Sequence, residues 1–158
     1  MTVRENVRGA DNQQERLPLS PDYVVGLIDG EGYFSVSASI DTSKNYVSRR
    51  VRVIFGVKIK EADGEILERL RYTLGCGDIF FRKDIRPKFS NCFEYQVRKY
   101  EDIRSIVIPF FKKYRLQMKS KRESFERFCE IAELFEQKLH LSERGFTRVR
   151  ELARAVHR

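Results

Sequence analysis

The sequence predicts an α+β fold in which an antiparallel sheet is backed by helices, and three observations predict it. Side-chain character alternates with a period of two from Phe34 to Asp41 and again from Ser48 to Lys60, across the turn-forming run Asp41-Thr42-Ser43-Lys44-Asn45. Such alternation belongs to half-buried strands, whose successive side chains leave on opposite faces. A segment of helical period, Asp63 to Leu74, then separates this pair from two further alternating segments, Asp78 to Asp84 and Cys92 to Lys99. From Ile103 onward apolar residues recur at helical spacing. The order is helix, two strands, helix, two strands, helices. At 158 residues the chain has the mass for one domain with a sizeable core, expected over residues 18–158.

The elements follow in order. Residues 1–17 are polar and lack an apolar run, so they are expected to form a flexible N-terminal arm and not a secretory signal. Ser20 suits a helix cap, Pro21 the first helical position and Asp22 the positive end of the macrodipole. At the far end Asp29 and Glu31 sit among unpaired carbonyls, where carboxylates lower stability unless a cation joins them. Gly30 and Gly32 are expected to stop this helix and allow a sharp exit. Gly26 and Gly30 are four apart and share a face, each at a cost of roughly 1 kcal/mol against alanine, so the spacing has a use elsewhere.

In the first strand Phe34, Val36, Ala38 and Ile40 face one way, and Ser35, Ser37 and Ser39 the other. In the second, Arg49, Val51, Val53, Phe55, Val57 and Ile59 oppose Ser48, Arg50, Arg52, Ile54, Gly56, Lys58 and Lys60. The pair reads as a long hairpin with an apolar back and a basic front. Ile66, Leu67, Leu70 and Leu74 make the inward stripe of the next helix, which Gly75-Cys76-Gly77 ends. Phe80 and Arg82 belong to the front of the third strand. Phe93, Tyr95 and Val97 of the fourth face the core, with Glu94, Gln96 and Arg98 outward. Three helical stripes follow: Ile103, Ile106, Val107, Phe110 and Phe111, interrupted by Pro109; Phe125, Phe128, Cys129, Ala132 and Phe135; and Phe146, Val149, Leu152, Ala153 and Val156.

A formal net charge of +8 favours a polyanionic partner, nucleic acid before an acidic membrane. No apolar run has the length of a membrane span. Three scattered cysteines, Cys76, Cys92 and Cys129, argue for a reducing compartment and against a zinc site. The expected setting is the cytoplasm or the interior of an organelle such as a chloroplast or mitochondrion. Ser48 to Lys60 holds five basic residues and no acid; Lys112 to Arg122 holds six and no acid. A twisted strand pair fits the DNA major groove, where arginine pairs with guanine, glutamine with adenine and glutamate with cytosine. Arg50, Arg52, Arg82 and Arg98 are therefore candidates for guanine, Gln96 for adenine and Glu94 for cytosine. Ser35, Ser37, Ser39 and Ser48 are candidates for bases or phosphates. Lys44, Lys58, Lys60, Phe80, Lys99 and Lys121 complete the expected DNA surface.

The run Val24-Val25-Gly26-Leu27-Ile28-Asp29-Gly30-Glu31-Gly32 resembles the signature of the LAGLIDADG homing endonucleases, at both small positions, the Gly-aliphatic-aliphatic-acid core and the closing acid-Gly pair. The order of elements resembles that family's αββαββα fold too, over roughly Leu19 to the end. The resemblance implies a homing-endonuclease-like fold with an antiparallel sheet as DNA-binding saddle and additional C-terminal helices. It implies a metal-dependent endonuclease, intron-encoded, that makes a double-strand break at a long pseudo-palindromic site. Glu31 is then the acid that binds the catalytic metal, Mg²⁺ or another divalent cation, with the Gly30 carbonyl as a candidate ligand. Met118-Lys119-Ser120-Lys121 aligns with the family's lysine near the cleavage centre, which assigns that role to Lys119 with Lys121 as the alternative. The family's water-ordering polar residue near the end of the second strand falls on Ile59, beside Lys58 and Lys60, a departure from the pattern.

With one signature in the chain, the resemblance implies a homodimer with Val25, Gly26, Asp29 and Gly30 at the helix–helix interface. Two other functions remain compatible with the sequence: an RNA-binding maturase that assists splicing of intron RNA, and a non-cleaving DNA-binding regulator on the same scaffold.

Overall fold

The computed structural model describes residues 18–157, and the expected N-terminal arm lies outside them. Helix α1, Pro21–Glu31, starts where Ser20 accepts a hydrogen bond from the Tyr23 amide at 3.3 Å, with proline in the first turn. It runs through Gly30 to Glu31, so Gly30 does not stop it. Gly32 follows in extended backbone at φ −79°, which any residue adopts. Its need is for space: a Cβ there would meet Ile28 Cα and its carbonyl oxygen at 2.8 Å. Strand β1, Gly32–Thr42, leaves directly from the helix.

β1 pairs with β2, Val47–Lys60, in the register expected from alternation. Phe34 lies opposite Phe55, Val36 opposite Val53 and Ala38 opposite Val51 on the back; Ser37 faces Arg52 and Ser39 faces Arg50 on the front. A 3₁₀ turn, Glu61–Asp63, precedes α2, Glu65–Leu74, which ends on left-handed Gly75 at φ 74°. β3 is Asp78–Arg82 and β4 is Cys92–Val97, both shorter than their alternation suggested. The four strands form one antiparallel sheet in the order β1-β2-β4-β3.

Tyr100–Asp102, Ile103–Val107 and Ile108–Lys113 continue as one helical stretch, α3, whose middle part is a π-helix. Pro109 has no N–H for the preceding turn, so the wider turn sits where the regular ladder would fail. α4, Lys119–Glu136, and α5, Glu143–Val156, complete the chain with the 3₁₀ turn Leu139–Leu141 between. All five residues of the α5 stripe are buried as expected; in α4, Ile131 is buried where Cys129 and Phe135 are only half so. The core lies between sheet back and helices. Phe34 is its centre, with the rings of Phe55, Phe125 and Phe128 at 5.5, 5.4 and 5.1 Å. Burying such side chains is worth about 1.5–3 kcal/mol each, which anchors β1 and the end of α1 beneath it.

Candidate metal centre and nucleic-acid interface

The two carboxylates at the end of α1 are separated by their surroundings. Asp29 is 9% exposed and turns inward, where Oδ2 accepts the Gln117 amide at 2.9 Å and Oδ1 the Met118 amide at 3.2 Å. Those amides lie immediately before α4, so the approach to the positive end of one helix answers a carboxylate at the negative end of another. The clamp fixes where α4 starts. One turn further, Lys121 is half-buried and donates its ammonium to the Gly32 carbonyl. Glu31, next to Gly32, is exposed, with no hydrogen bond or ion pair among the described residues. It lines a concavity of about 950 Å³ with Tyr23, Leu27, Lys58, Lys60 and Arg69.

This set suits a hard divalent cation in part. Its donors are oxygens: one unpaired carboxylate and last-turn carbonyls such as Gly30. The described residues contain no group of three or more His, Cys, Asp or Glu placed to hold a metal ion.

The open face of α1 is Tyr23, Gly26, Leu27 and Gly30. A Cβ on Gly26 or Gly30 would meet no atom within 4 Å, so nothing in the chain's own fold requires either glycine. Val25 and Asp29 were expected on that face; both are buried within this chain, on the side of the helix that packs inward.

The sheet front is basic and ordered at its centre. Tyr33 lies across Gly56, its cross-strand partner, where a Cβ would collide with the ring. It thereby reaches β4: the hydroxyl donates to Glu94 Oε1 at 2.7 Å and accepts from Gln96 Nε2 at 2.6 Å. Arg82 Nε donates to Glu94 Oε2 and Arg98 Nε to Gln96 Oε1, each at 2.6 Å. Both guanidinium groups lie over the Phe80 ring, 5.2 and 4.5 Å from its centroid. Burial, and then the bond to Glu94, pushes the Tyr33 hydroxyl up to about 12. Burial alone would raise the Glu94 carboxyl, but the bonds from Tyr33 and Arg82 hold it below its ordinary range.

Most expected surface residues lie on this front: Ser35, Ser37, Ser39, Ser48, Arg50, Arg52, Lys58, Lys60, Phe80, Arg82 and Arg98. Arg52 has no partner among the described residues, and Arg50 pairs with Asp41 at 3.1 Å. Gln96 and Glu94 do not stand free for adenine and cytosine. Gln96 is 7% exposed, and both residues spend their hydrogen-bonding groups on Tyr33 and the two arginines. Lys119, the first residue of α4, points to solvent. Its side chain is 83% exposed and approaches Glu123 at 3.9 Å, while Lys121 is the lysine that reaches the Gly32 carbonyl. Ile59 faces the sheet back, so only Lys58 and Lys60 present polar groups from that end of β2. Tyr33 and the inward role of Asp29 were not foreseen. The Tyr33-opposite-Gly56 pairing was legible once the register was set; the partners of Asp29, 88 and 89 residues away, left no local trace.

A four-stranded antiparallel sheet with its apolar back under helices, a basic front and an unpaired acid at the helix end places the chain among the α+β proteins. The chain belongs to the LAGLIDADG endonuclease family, whose family model matches residues 24–132. It is 29% identical to a probable intron-encoded endonuclease 2 of Neurospora crassa over 143 residues, 89% of this chain and 28% of that protein. It is 28% identical to a probable intron-encoded DNA endonuclease 1 of Mycosarcoma maydis over 66% of this chain and 34% of that one. The chain thus spans about a third or less of these curated relatives. Among solved structures, the homing endonuclease I-TnaI is similar with TM-score 0.73 and 33% identity, covering 87% of each chain. I-SmaMI, bound to uncleaved DNA target in the presence of calcium ions, has TM-score 0.73 and 32% identity over 85% of this chain and 44% of that one. No helix among the described residues is long and apolar enough to cross a membrane.

Proposed function

We propose that this chain is a sequence-specific, metal-dependent DNA endonuclease that works as a homodimer about α1 and breaks both strands of a long pseudo-palindromic site. The carrying observation is the pair at the helix end: an exposed, unpaired Glu31 with the Lys121 ammonium fixed on the adjacent carbonyl, at the margin of a basic sheet front. The similar structures of I-SmaMI bound to uncleaved and to cleaved DNA support the same partner.

Glu31 and the Gly30 carbonyl would hold Mg²⁺, which when bound polarises the scissile phosphate and lowers the pKa of water. Lys121, not Lys119, stabilises charge developing on the phosphate: one N–H is committed to Gly32, which leaves two directed outward from a fixed ammonium. Arg50, Arg52 and the serines of β1 bind and orient the duplex, and Lys58 and Lys60 lie nearest the acid from β2.

The empty surroundings of Gly26 and Gly30 support the dimer, because paired helices approach closely only where side chains are absent. A two-fold axis there doubles the carboxylate and joins two sheet fronts, so the target is a pseudo-palindrome. Gly26→Leu is expected to give a monomer without cleavage; sedimentation at micromolar concentration reads it, and a dimeric, active variant refutes the interface. The function itself is tested by incubating purified protein with a plasmid carrying its native insertion flank. Linear product with Mg²⁺ and none with EDTA is expected. Retention of intron RNA without cutting would replace this reading with the maturase.

A further inference from the structure

The chain Arg82–Glu94–Tyr33–Gln96–Arg98 runs across three strands of the sheet front and has a direction. Glu94 as a carboxylate only accepts, so the Tyr33 proton points to it. The Tyr33 oxygen then accepts from the Gln96 amide nitrogen, and the Gln96 carbonyl is left facing Arg98. No other orientation of the Gln96 amide satisfies both neighbours. Each arginine is held by Nε alone. The two terminal amino groups of each guanidinium have no hydrogen-bond partner among the described residues, and that end-on fork is the one that meets guanine O6 and N7. The shared Phe80 ring limits where either guanidinium can swing.

We propose that Arg82 and Arg98 are a guanine-reading pair in each half-site, and that Tyr33, Glu94 and Gln96 are positioning residues that hold both in reading geometry through one hydrogen-bond relay of fixed polarity. The proposal rests on the DNA-saddle reading. Glu94 and Gln96 act through the arginines and do not meet bases themselves. The negative charge of Glu94 thus decides the orientation of a guanidinium it does not touch.

The relay makes a prediction that a packing role does not. In Glu94→Gln the new amide nitrogen must face either Arg82 or Tyr33. Facing Arg82, it opposes Nε donor to donor and releases that arginine. Facing Tyr33, it sends the hydroxyl proton to Gln96, turns the Gln96 NH₂ toward Arg98 and releases the other. The double substitution Glu94→Gln/Gln96→Glu reverses the two bonds at Tyr33, keeps both arginine bonds and satisfies all four: residue 94 accepts from Arg82 and donates to Tyr33, which donates to residue 96, which accepts from Arg98. Net charge is conserved.

The full chain, wild type and variants, is used to select from a randomised duplex library in EDTA, and bound sequences are read position by position. Wild type is expected to prefer guanine at two positions per half-site, one lost in Arg82→Ala and the other in Arg98→Ala. Glu94→Gln should weaken at least one of these preferences about tenfold or more, leave the other positions as they are, and be restored by the double swap. Tyr33→Phe, which keeps the ring over Gly56 and deletes only the hydroxyl, leaves Arg82 on the Glu94 carboxylate but frees the Gln96 amide to flip, so it should weaken the preference that depends on Arg98. Unchanged guanine preference in Glu94→Gln and Tyr33→Phe overturns the relay, as does a double swap no better than the single. A folded wild type that enriches no sequence at all rejects the saddle reading, a result distinct from an enriched site that is indifferent to the relay.

Discussion

The centre of the sheet front and the end of α1 treat carboxylates in opposite ways. Glu94, with a side chain 14% exposed, has a partner on each oxygen. Glu31 is exposed and unpaired, at a helix end that disfavours its charge. The first carboxylate belongs to the architecture of a surface; the second is the acid that the proposed function assigns to the metal. Asp29 sharpens the contrast: two residues from Glu31 on the same helix end, it is fully committed to two backbone amides. On the proposed reading, Glu94 and Asp29 build the fold and Glu31 acts.

The largest effect that tests this division is on Glu31. Glu31→Gln should remove cleavage, a loss of several kcal/mol in transition-state stabilisation. It should leave DNA binding intact and raise stability slightly, since a charge leaves the negative helix end. Single-turnover cleavage beside a gel-shift titration checks it, and near-normal cutting would remove Glu31 from the centre.

Asp29 should give the reverse pattern. Asp29→Asn keeps the shape but offers one acceptor where two amides arrive at two oxygens, so about 2–3 kcal/mol of stability should be lost. Activity should fall only as the fold and the placement of Lys121 loosen. A denaturant titration showing no loss would mean that the clamp contributes nothing. A smaller effect separates the two lysines. Lys121→Ala should slow cleavage roughly 10- to 100-fold, the range for one electrostatic donor at a developing charge. Lys119→Ala should stay within about twofold, because an exposed i, i+4 pair contributes only ~0.3–0.5 kcal/mol. A larger loss from Lys119→Ala than from Lys121→Ala would return the role to Lys119.

Why the sequence revealed one half of this comparison and hid the other follows from the range of the forces involved. Alternation set the faces of β1 and β2 correctly because a register slip would expose Phe34, Val36, Val53 and Phe55 together. The α5 stripe was legible because a single helix buries one periodic face against one surface. Glu31 stood out because its position on the helix is locally unfavourable. The saturated groups were illegible for the same reason that they are saturated. Asp29 finds its amides in the approach to α4, and Glu94 finds Tyr33 from the far side of β2, contacts that depend on the assembled sheet. Lys119 and Lys121 are two residues apart in similar sequence, and only the start of α4, fixed by Asp29, decides which reaches Gly32.

His140 shows a third condition, a buried ring nitrogen with no partner among the described residues. It is 8% exposed, its ring stacks on Phe135 at 4.5 Å, and Nδ1 has no partner among the described residues. Burial lowers its pKa, against the smaller opposing pull of the Leu134 carbonyl. A histidine whose folded pKa lies below its ordinary 6.5 contributes stability that is complete above that pH and lost as pH falls through the folded value. The depressed carboxyl of Glu94 acts in the same direction but in a lower window, below its ordinary 4.5. The two are therefore separable. His140→Phe keeps the stack on Phe135 and deletes the orphaned nitrogen, so stability at pH 7.5 should hold within about 1 kcal/mol. On acidification from pH 6.5 toward 4.5, wild type should lose stability faster than the variant; below 4.5 the two should fall together as Glu94 titrates. Chemical denaturation at half-unit steps across pH 4 to 8 measures both slopes, and parallel curves above pH 4.5 would show that His140 is not charged on unfolding in this range.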